Sequence, residues 1–294
     1  MMLHQLNWQE ICQMIPKRKA DAQKGDFGRL LCITGSRNMP GACLLSTQAA
    51  LRGGAGLVTV ATAPENPMRL AAAAPEAMWL PLETDEAGFL RSSDQNRKTL
   101  EKQLSRANAV LLGCGLGVTE ETRRLVHWVL EQAVCPVVLD ADGLNCAVSC
   151  IELSRRTGKD WILTPHPGEM ARLTGHSIPQ IQENRVETAT QFAAAYPVTL
   201  ALKGAGTLVA QGSRLAQNPT GNEPRRQRGR SRRTDRRLCR TGDSVLGGSL
   251  CRGVSPRPCR RCGGGSTVPA GNAAAGLAGI SAAGAGQAGT GTVK

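Results

Sequence analysis

The chain is predicted to be an α/β protein built on a mostly parallel central sheet, and three observations lead there. Short apolar runs bounded by glycine or proline recur at 30–34 and 57–62 and open the segments 109–117, 136–145, 161–169 and 198–207. Segments with helical spacing alternate with them, a pattern that demands crossover connections between parallel strands. The strands that read as buried end in Gly, Asp, His or Lys, so the polar chemistry gathers on one edge, where parallel sheets bind ligands.

Taken in order, residues 7–23 form a polar helix or arm that leads into Lys24-Gly25-Asp26-Phe27-Gly28-Arg29. LLCIT (30–34) is a buried strand, and GSRNMPGA (35–42) is a turn-rich loop. Helical spacing begins at Cys43, through Leu44, Leu45 and Ala49, and breaks at Gly53-Gly54. LVTVAT (57–62) completes a β-loop-α-β unit. AVLL then runs into the glycine turn GCGLG (113–117), and Thr119 is an N-cap for a helix to Gln132 with Glu120 and Glu121 in its first turn. PVVL leads to Asp140 and Asp142, and WILT leads to the Pro-rich loop around His166. A helix spans 177–195, VTLAL ends in KGAGT (203–207), and TLVAQG with RLAQN suggests a hairpin.

The 294 residues suffice for one large domain or two small ones, with a net charge of +13. That charge is not spread evenly. Residues 224–294 hold 14 of the 36 Lys and Arg and only two acids, Asp235 and Asp243, so the body to Glu223 is near neutral. The N-terminal MMLHQLNWQE has no apolar run of the signal-peptide kind, and no stretch is apolar for long enough to span a bilayer. Cys32, Cys43, Cys114 and Cys135 sit in apolar runs and read as small core side chains, so a reducing cytoplasm is the expected location.

Each candidate site residue has a competing structural role. GCGLG suits a phosphate at a helix N-terminus, but a tight βα turn needs glycine anyway. Asp140 and Asp142 suit a metal or a sugar hydroxyl; alternatively one of them caps the next helix. His166 lies between two prolines that stiffen its backbone; a loop histidine is otherwise simply solvated. Lys203-Gly204-Ala205-Gly206-Thr207 offers a cation, main-chain donors and a hydroxyl to a nucleotide phosphate, without Walker A spacing.

The order of these segments says more than any one of them. KGDFGRLLCITGS, MPGA, ALRGGAGLVTVAT, GCGLG, LDADGLN, ILTPHPGEMARLTG, LKGAGT and NPTGN resemble, in sequence, the ADP-dependent NAD(P)H-hydrate dehydratases of the ribokinase-like superfamily. The resemblance covers roughly residues 15–223, and TPHPGE with NPTGN is its most specific part. It implies a three-layer α/β/α ribokinase-like domain. It implies repair of the S-epimers of NADHX and NADPHX, the hydrated reduced nicotinamide cofactors. ADP phosphorylates the ring hydroxyl, phosphate leaves with help from the ring nitrogen, and NAD(P)H, AMP and phosphate result. Carried over by position, Ala42, Gly115 and His166 contact the hydrated nicotinamide nucleotide. Lys203, Gly204, Ala205, Gly206 and Thr207 contact the adenine nucleotide. Asp142, Asn145 and Glu169 line a Mg²⁺ and phosphate region. The resemblance further implies a homo-oligomer, a tetramer, and an epimerase as fused domain or separate partner. Another ribokinase-like small-molecule kinase, or a non-enzymatic protein with a nucleic-acid-binding tail, are the alternatives.

After Glu223 the chain departs from this pattern. The family continues into a GGSGD segment whose main-chain donors form an anion hole and whose Asp activates the substrate hydroxyl. Here Pro224–Arg240 is mostly Arg, Gln, Thr and Ser, so no catalytic residue is assigned. An arginine-rich run is ordinarily a disordered basic tail. A zinc site from Cys259 and Cys262 lacks partners, since no His follows His176. A shifted reading frame accounts for more. Arg225 to Arg233 can be written with codons that, read one base later, spell GGSGDVLAG. In the same register 251–262 permits AAYLHGRAGD, 271–283 permits EMLPQDLLEYLP, and 292–294 permits a stop. The domain is therefore expected to occupy 1–223 and to be incomplete. Residues 224–294 are expected to be an aberrant, disordered segment that leaves part of the sheet uncovered, and the chain as written is expected to fold poorly and be inactive.

Overall fold

The computed structural model describes residues 3–15, 21–158 and 160–218. The expectations for Pro219–Glu223 and for 224–294 lie outside the described residues. Ten strands form one sheet in the order β1-β10-β9-β8-β7-β6-β5-β2-β3-β4. They are β1 (His4–Gln5), β2 (Arg29–Ile33), β3 (Leu57–Thr62), β4 (Met78–Pro81), β5 (Ala109–Leu112), β6 (Val137–Leu139), β7 (Trp161–Leu163), β8 (Val198–Leu202), β9 (Leu208–Gln211) and β10 (Arg214–Gln217). Pairing is parallel from β4 through β8, while β9 and β10 form the expected antiparallel hairpin. The short β1 adds in parallel to β10 and closes that edge.

The helices are α1 (Trp8–Met14), α2 (Pro40–Gly53), α3 (Asn66–Leu70), α4 (Asp94–Leu104), α5 (Glu120–Gln132), α6 (Asp142–Ala147), α7 (Leu153–Thr157), α8 (Pro167–Thr174), α9 (Ile178–Glu183) and α10 (Arg185–Ala195). Strand residues alternate between two cores, as the period of two requires. Leu31, Ile33, Leu112, Leu139, Leu163 and Leu200 join one cluster, which takes in α4, α5 and α10. Leu30, Cys32, Val58, Val60, Leu111 and Ile162 join the other, under α2 and α3. The result is the expected α/β/α layering. Helix α5 shows how locally it is specified. Thr119 accepts a hydrogen bond from Thr122 N at 3.1 Å, and Leu125, Val126, Val129 and Leu130 bury one stripe. Full burial of each such side chain contributes about 1.5–3 kcal/mol, so Val126→Asp would unseat the helix.

Three local expectations are corrected. Helix α2 begins at Pro40, where proline's missing N–H costs nothing, so Ala42 lies in a first helical turn and not in a loop. The helix expected over 177–195 breaks at Asn184, whose φ of −120° and ψ of 39° are not helical, giving α9 and α10. Neither Asp140 nor Asp142 caps a helix through its side chain. The N-cap of α6 is Ala141, at φ 51° and ψ −118°, a left-handed conformation that strains any residue with a Cβ.

Candidate active site

The strand ends β6, β7 and β8 bring four charged or titratable side chains into one chain of contacts. His166 is the N-cap of α8, and its Nδ1 accepts from Gly168 N at 2.9 Å and Glu169 N at 3.2 Å. In return His166 N donates to Glu169 Oε2 at 2.7 Å, a reciprocal capping box. The two accepted bonds put the neutral ring's proton on Nε2, which lies 3.3 Å from Glu169 Oε1. Glu169 is 6% exposed at its side chain, and its Oε2 lies 3.6 Å from Lys203 Nζ. Lys203 Nζ in turn donates to Asp140 Oδ1 at 2.7 Å. Thr164 Oγ1 stands 2.9 Å from the same carboxylate oxygen. The ring of His166 is thus aimed by a helix cap as well as by the flanking prolines. Lys203 sits between two buried carboxylates, which holds its ammonium at the mouth of β8.

On the other side of the edge, the 35–42 segment is stapled to the glycine turn. Gly35 N donates to Cys114 O at 2.9 Å and Ser36 N to Gly115 O at 2.7 Å. The buried Asn66 side chain donates to Ser36 O at 3.2 Å and to Thr62 Oγ1 at 2.8 Å. A Cβ on Gly115 would stand 2.7 Å from Ala42 Cβ and 2.9 Å from Met39 Cβ. Gly115 and Ala42 are therefore closely packed, with no room for a side chain at Gly115. Gly117 N is taken by Asp142 Oδ2 at 2.8 Å, so this N–H of the turn serves the fold.

The Lys203–Thr207 loop connects β8 and β9. Lys203 N donates to Pro165 O at 2.8 Å, which ties it to the His166 loop. Among the described residues the N–H groups of Gly204, Ala205 and Gly206 have no acceptor, so three main-chain donors remain for an anion.

The residues expected to line a metal region each have a partner within the fold. Asp142 faces Gly117, the Asn145 amide oxygen accepts from Arg172 at 2.9 Å, and Glu169 belongs to the His166–Lys203 chain. Among the described residues no three His, Cys, Asp or Glu side chains are grouped to hold a metal ion. Mg²⁺ is usually held by one or two carboxylates with substrate phosphates and water, and Asp142 Oδ1, which has no partner among the described residues, fits such a role. Sequence reasoning missed Thr164, Asn66 and Arg185. Of these, only Thr164 carries a local signal, its place directly after the strand in WILTPHPGE.

Among the described residues Cys32, Cys43, Cys114 and Cys135 are buried, as expected. Burial pushes the Cys114 thiol well up, and the negative charge of Asp140, whose Oδ2 lies 3.6 Å away, pushes it further.

A mostly parallel sheet flanked by helices on both faces, with its polar side chains gathered at the strand ends, is the ribokinase-like α/β fold. A ribokinase-like superfamily protein of Enterococcus faecalis superposes with a TM-score of 0.60 at 24% identity, covering 74% of this chain and 76% of that one, a likeness of fold alone. Residues 30–230 match the NAD(P)H-hydrate dehydratase family, and the chain belongs to that family. It is 33% identical over 248 residues to the ADP-dependent (S)-NAD(P)H-hydrate dehydratase of Bacillus subtilis, covering 83% of this chain and 79% of that protein. A crystal structure of the Bacillus subtilis ADP/ATP-dependent NAD(P)H-hydrate dehydratase, co-crystallised with ATP and Mg²⁺, superposes with a TM-score of 0.60. Identity is 31%, over 76% of this chain and 74% of that one. The bifunctional NAD(P)H-hydrate repair enzyme of Coxiella burnetii is 39% identical over 204 residues, 69% of this chain. The chain spans only 38% of that bifunctional relative. No helix among the described residues is long and apolar enough to cross a membrane.

Proposed function

We propose that this protein carries the ADP-dependent dehydration site for the S-epimers of NADHX and NADPHX, returning NADH or NADPH with AMP and phosphate. The observation that carries the reading is Glu169. It touches His166 on the side expected to take the nicotinamide and Lys203 on the side expected to take the adenine nucleotide. Phosphoryl transfer needs two substrates brought into line, and catalysis is then mostly positioning and electrostatics. The close-packed pair Ala42 and Gly115 takes the hydrated nicotinamide ring, with His166 Nε2–H as donor. Lys203, Gly204, Ala205, Gly206 and Thr207 take the adenine nucleotide through main-chain donors and one cation. Asp142 is the side chain placed to share a Mg²⁺ with the nucleotide phosphates; Asn145 would have to release Arg172, and Glu169 its His166 and Lys203 contacts, to join it. Bound Mg²⁺ supplies charge neutralisation to those phosphates.

In this reading the base that activates the ring hydroxyl lies beyond Glu223, in the segment that a one-base shift would turn into GGSGDVLAG. Residues 1–223 are then the family domain, and 224–294 a product of the shifted frame. The assembly is a cytoplasmic homotetramer, served by an epimerase as fused domain or separate protein. The test compares two chains, one as written and one reframed from Arg225. With NADHX, ADP and Mg²⁺, the reframed chain is expected to restore the near-ultraviolet absorbance of the reduced nicotinamide while the written chain does not. No turnover by either chain defeats the reading; turnover by the written chain defeats the shifted-frame part alone.

A further inference from the structure

The adenine-nucleotide reading of the Lys203–Thr207 loop is the basis for one step more. Arg185, the first residue of α10, reaches across to the inner side of that loop. Its NH1 donates to Ala205 O at 2.6 Å, and its NH2 lies 3.2 Å from Leu202 O, 3.4 Å from Gly206 O and 3.5 Å from Lys203 O. One planar guanidinium thus collects carbonyls from most of a five-residue stretch, which a point-like ammonium cannot do. The contact dictates the sequence of the loop. Gly204 has φ +150°, and a Cβ there would meet Arg185 NH2 at 2.8 Å and Cζ at 3.0 Å. Arg185 is half-buried and meets no carboxylate among the described residues, and burial pulls its pKa below the usual guanidinium range. An isolated half-buried cation is costly unless hydrogen-bonded. Here main-chain carbonyls are its partners, on the same loop whose Gly204, Ala205 and Gly206 N–H groups have no acceptor among the described residues.

We infer that Arg185 is the positioning residue of the nucleotide loop. It turns the carbonyls of Leu202, Lys203, Ala205 and Gly206 inward and so leaves their neighbouring N–H groups, over a positive background, for the phosphates of ADP. The asparagine break at Asn184 is what swings this side chain out of register with α9 and under the loop.

The test measures ADP binding to the full 294-residue chain by calorimetry, with amide exchange of 203–207 followed in parallel. Arg185→Lys keeps the charge and loses the fork; Gly204→Ala keeps Arg185 and displaces it; Arg185→Ala removes both. Each is expected to weaken ADP at least about tenfold and to speed exchange at 203–207 while leaving the amides of β5 to β7 protected. Normal ADP affinity in Arg185→Lys overturns the inference, because charge alone then suffices. Exchange accelerated throughout the sheet also overturns it, since the residue is then generally structural. Should Arg185→Ala not fold, the other two variants decide. If neither the parent chain nor the chain reframed from Arg225 binds ADP, the nucleotide reading falls and this inference with it; if the parent or the reframed chain binds and the same variants of it bind equally, only the inference falls.

Discussion

The two halves of the site edge are held by different physics. The half at β6 to β8 is held by charge: Asp140, Lys203, Glu169 and Arg185 are buried or half-buried and satisfy one another or main-chain carbonyls. The half at β2, β3 and β5 is held mostly by neutral groups: main-chain bonds from Gly35 and Ser36, the amide of Asn66, and the contact between Gly115 and Ala42, with the half-buried Arg37–Glu65 pair beside them. The first suits a nucleotide polyphosphate, whose charge needs partners already in place. On the proposed reading the second takes the uncharged hydrated nicotinamide ring, which needs shape and has nothing to gain from a charge. Ala141 divides the two. Its strained backbone stands between Asp140, which pairs with Lys203, and Asp142, which accepts from Gly117 N.

That contrast can be broken from either side. Lys203→Met leaves Asp140 buried without its cation. Broken buried pairs cost about 3–5 kcal/mol, and the low end, about 3 kcal/mol, is expected because Lys203 keeps 27% of its side-chain exposure. Urea denaturation measures it, and a loss under about 1 kcal/mol would mean that the pair is not a major support. In the neutral half, Gly115→Ala places a methyl against Ala42 and Met39 at a backbone φ of +70°, and about 2 kcal/mol is expected from overpacking and conformation together. Binding on the nicotinamide side should weaken, with ADP binding unchanged; equal loss of both would contradict the division. Asn66→Ala removes the amide that holds Ser36 O and Thr62, and about 1.5 kcal/mol is expected. Its effect should not change with salt, whereas the cost of removing a charge partner should shrink as salt screens the pair.

Smaller effects sharpen the picture. Ala141→Gly relaxes a left-handed residue and is expected to stabilise by about 1 kcal/mol, read as a higher melting temperature. If it loses stability, the Cβ of Ala141 is packing usefully and the strain argument fails. Last, burial pushes the thiol pKa values of Cys32, Cys43 and Cys114 up, so alkylation of the folded chain near neutral pH should spare all three. Half-buried Cys12 should react first among the described cysteines; early labelling of Cys114 would show that the Asp140 region opens to solvent.

Most strands were legible because buried parallel strands are short, apolar and closed by glycine or a polar residue. The stretch 63–108 was not. Strand β4 is an edge strand, half-exposed and ending in Pro81, and α4 is polar apart from Leu100 and Leu104, so neither carries a strong period. Among site residues, Gly115, His166 and the 203–207 loop stood out because glycine and proline constrain the backbone wherever they occur. Asn66 and Arg185 did not, because their partners lie in the 34–36 and 202–206 segments.

The sequence alone determined the layer order, the sheet edge on which chemistry gathers, the motif succession that identifies the family, and the abrupt change of character after Glu223. These are local properties: period, turn chemistry and codon-level composition are written along the chain. Only the tertiary structure decided that Asp140 belongs to Lys203 and Asp142 to Gly117, that His166 is aimed by its own helix, and that Arg185 lies under the nucleotide loop. Those assignments depend on where parallel crossovers return the chain, and residues 63 apart, as Asp140 and Lys203 are, become neighbours only when the sheet is assembled.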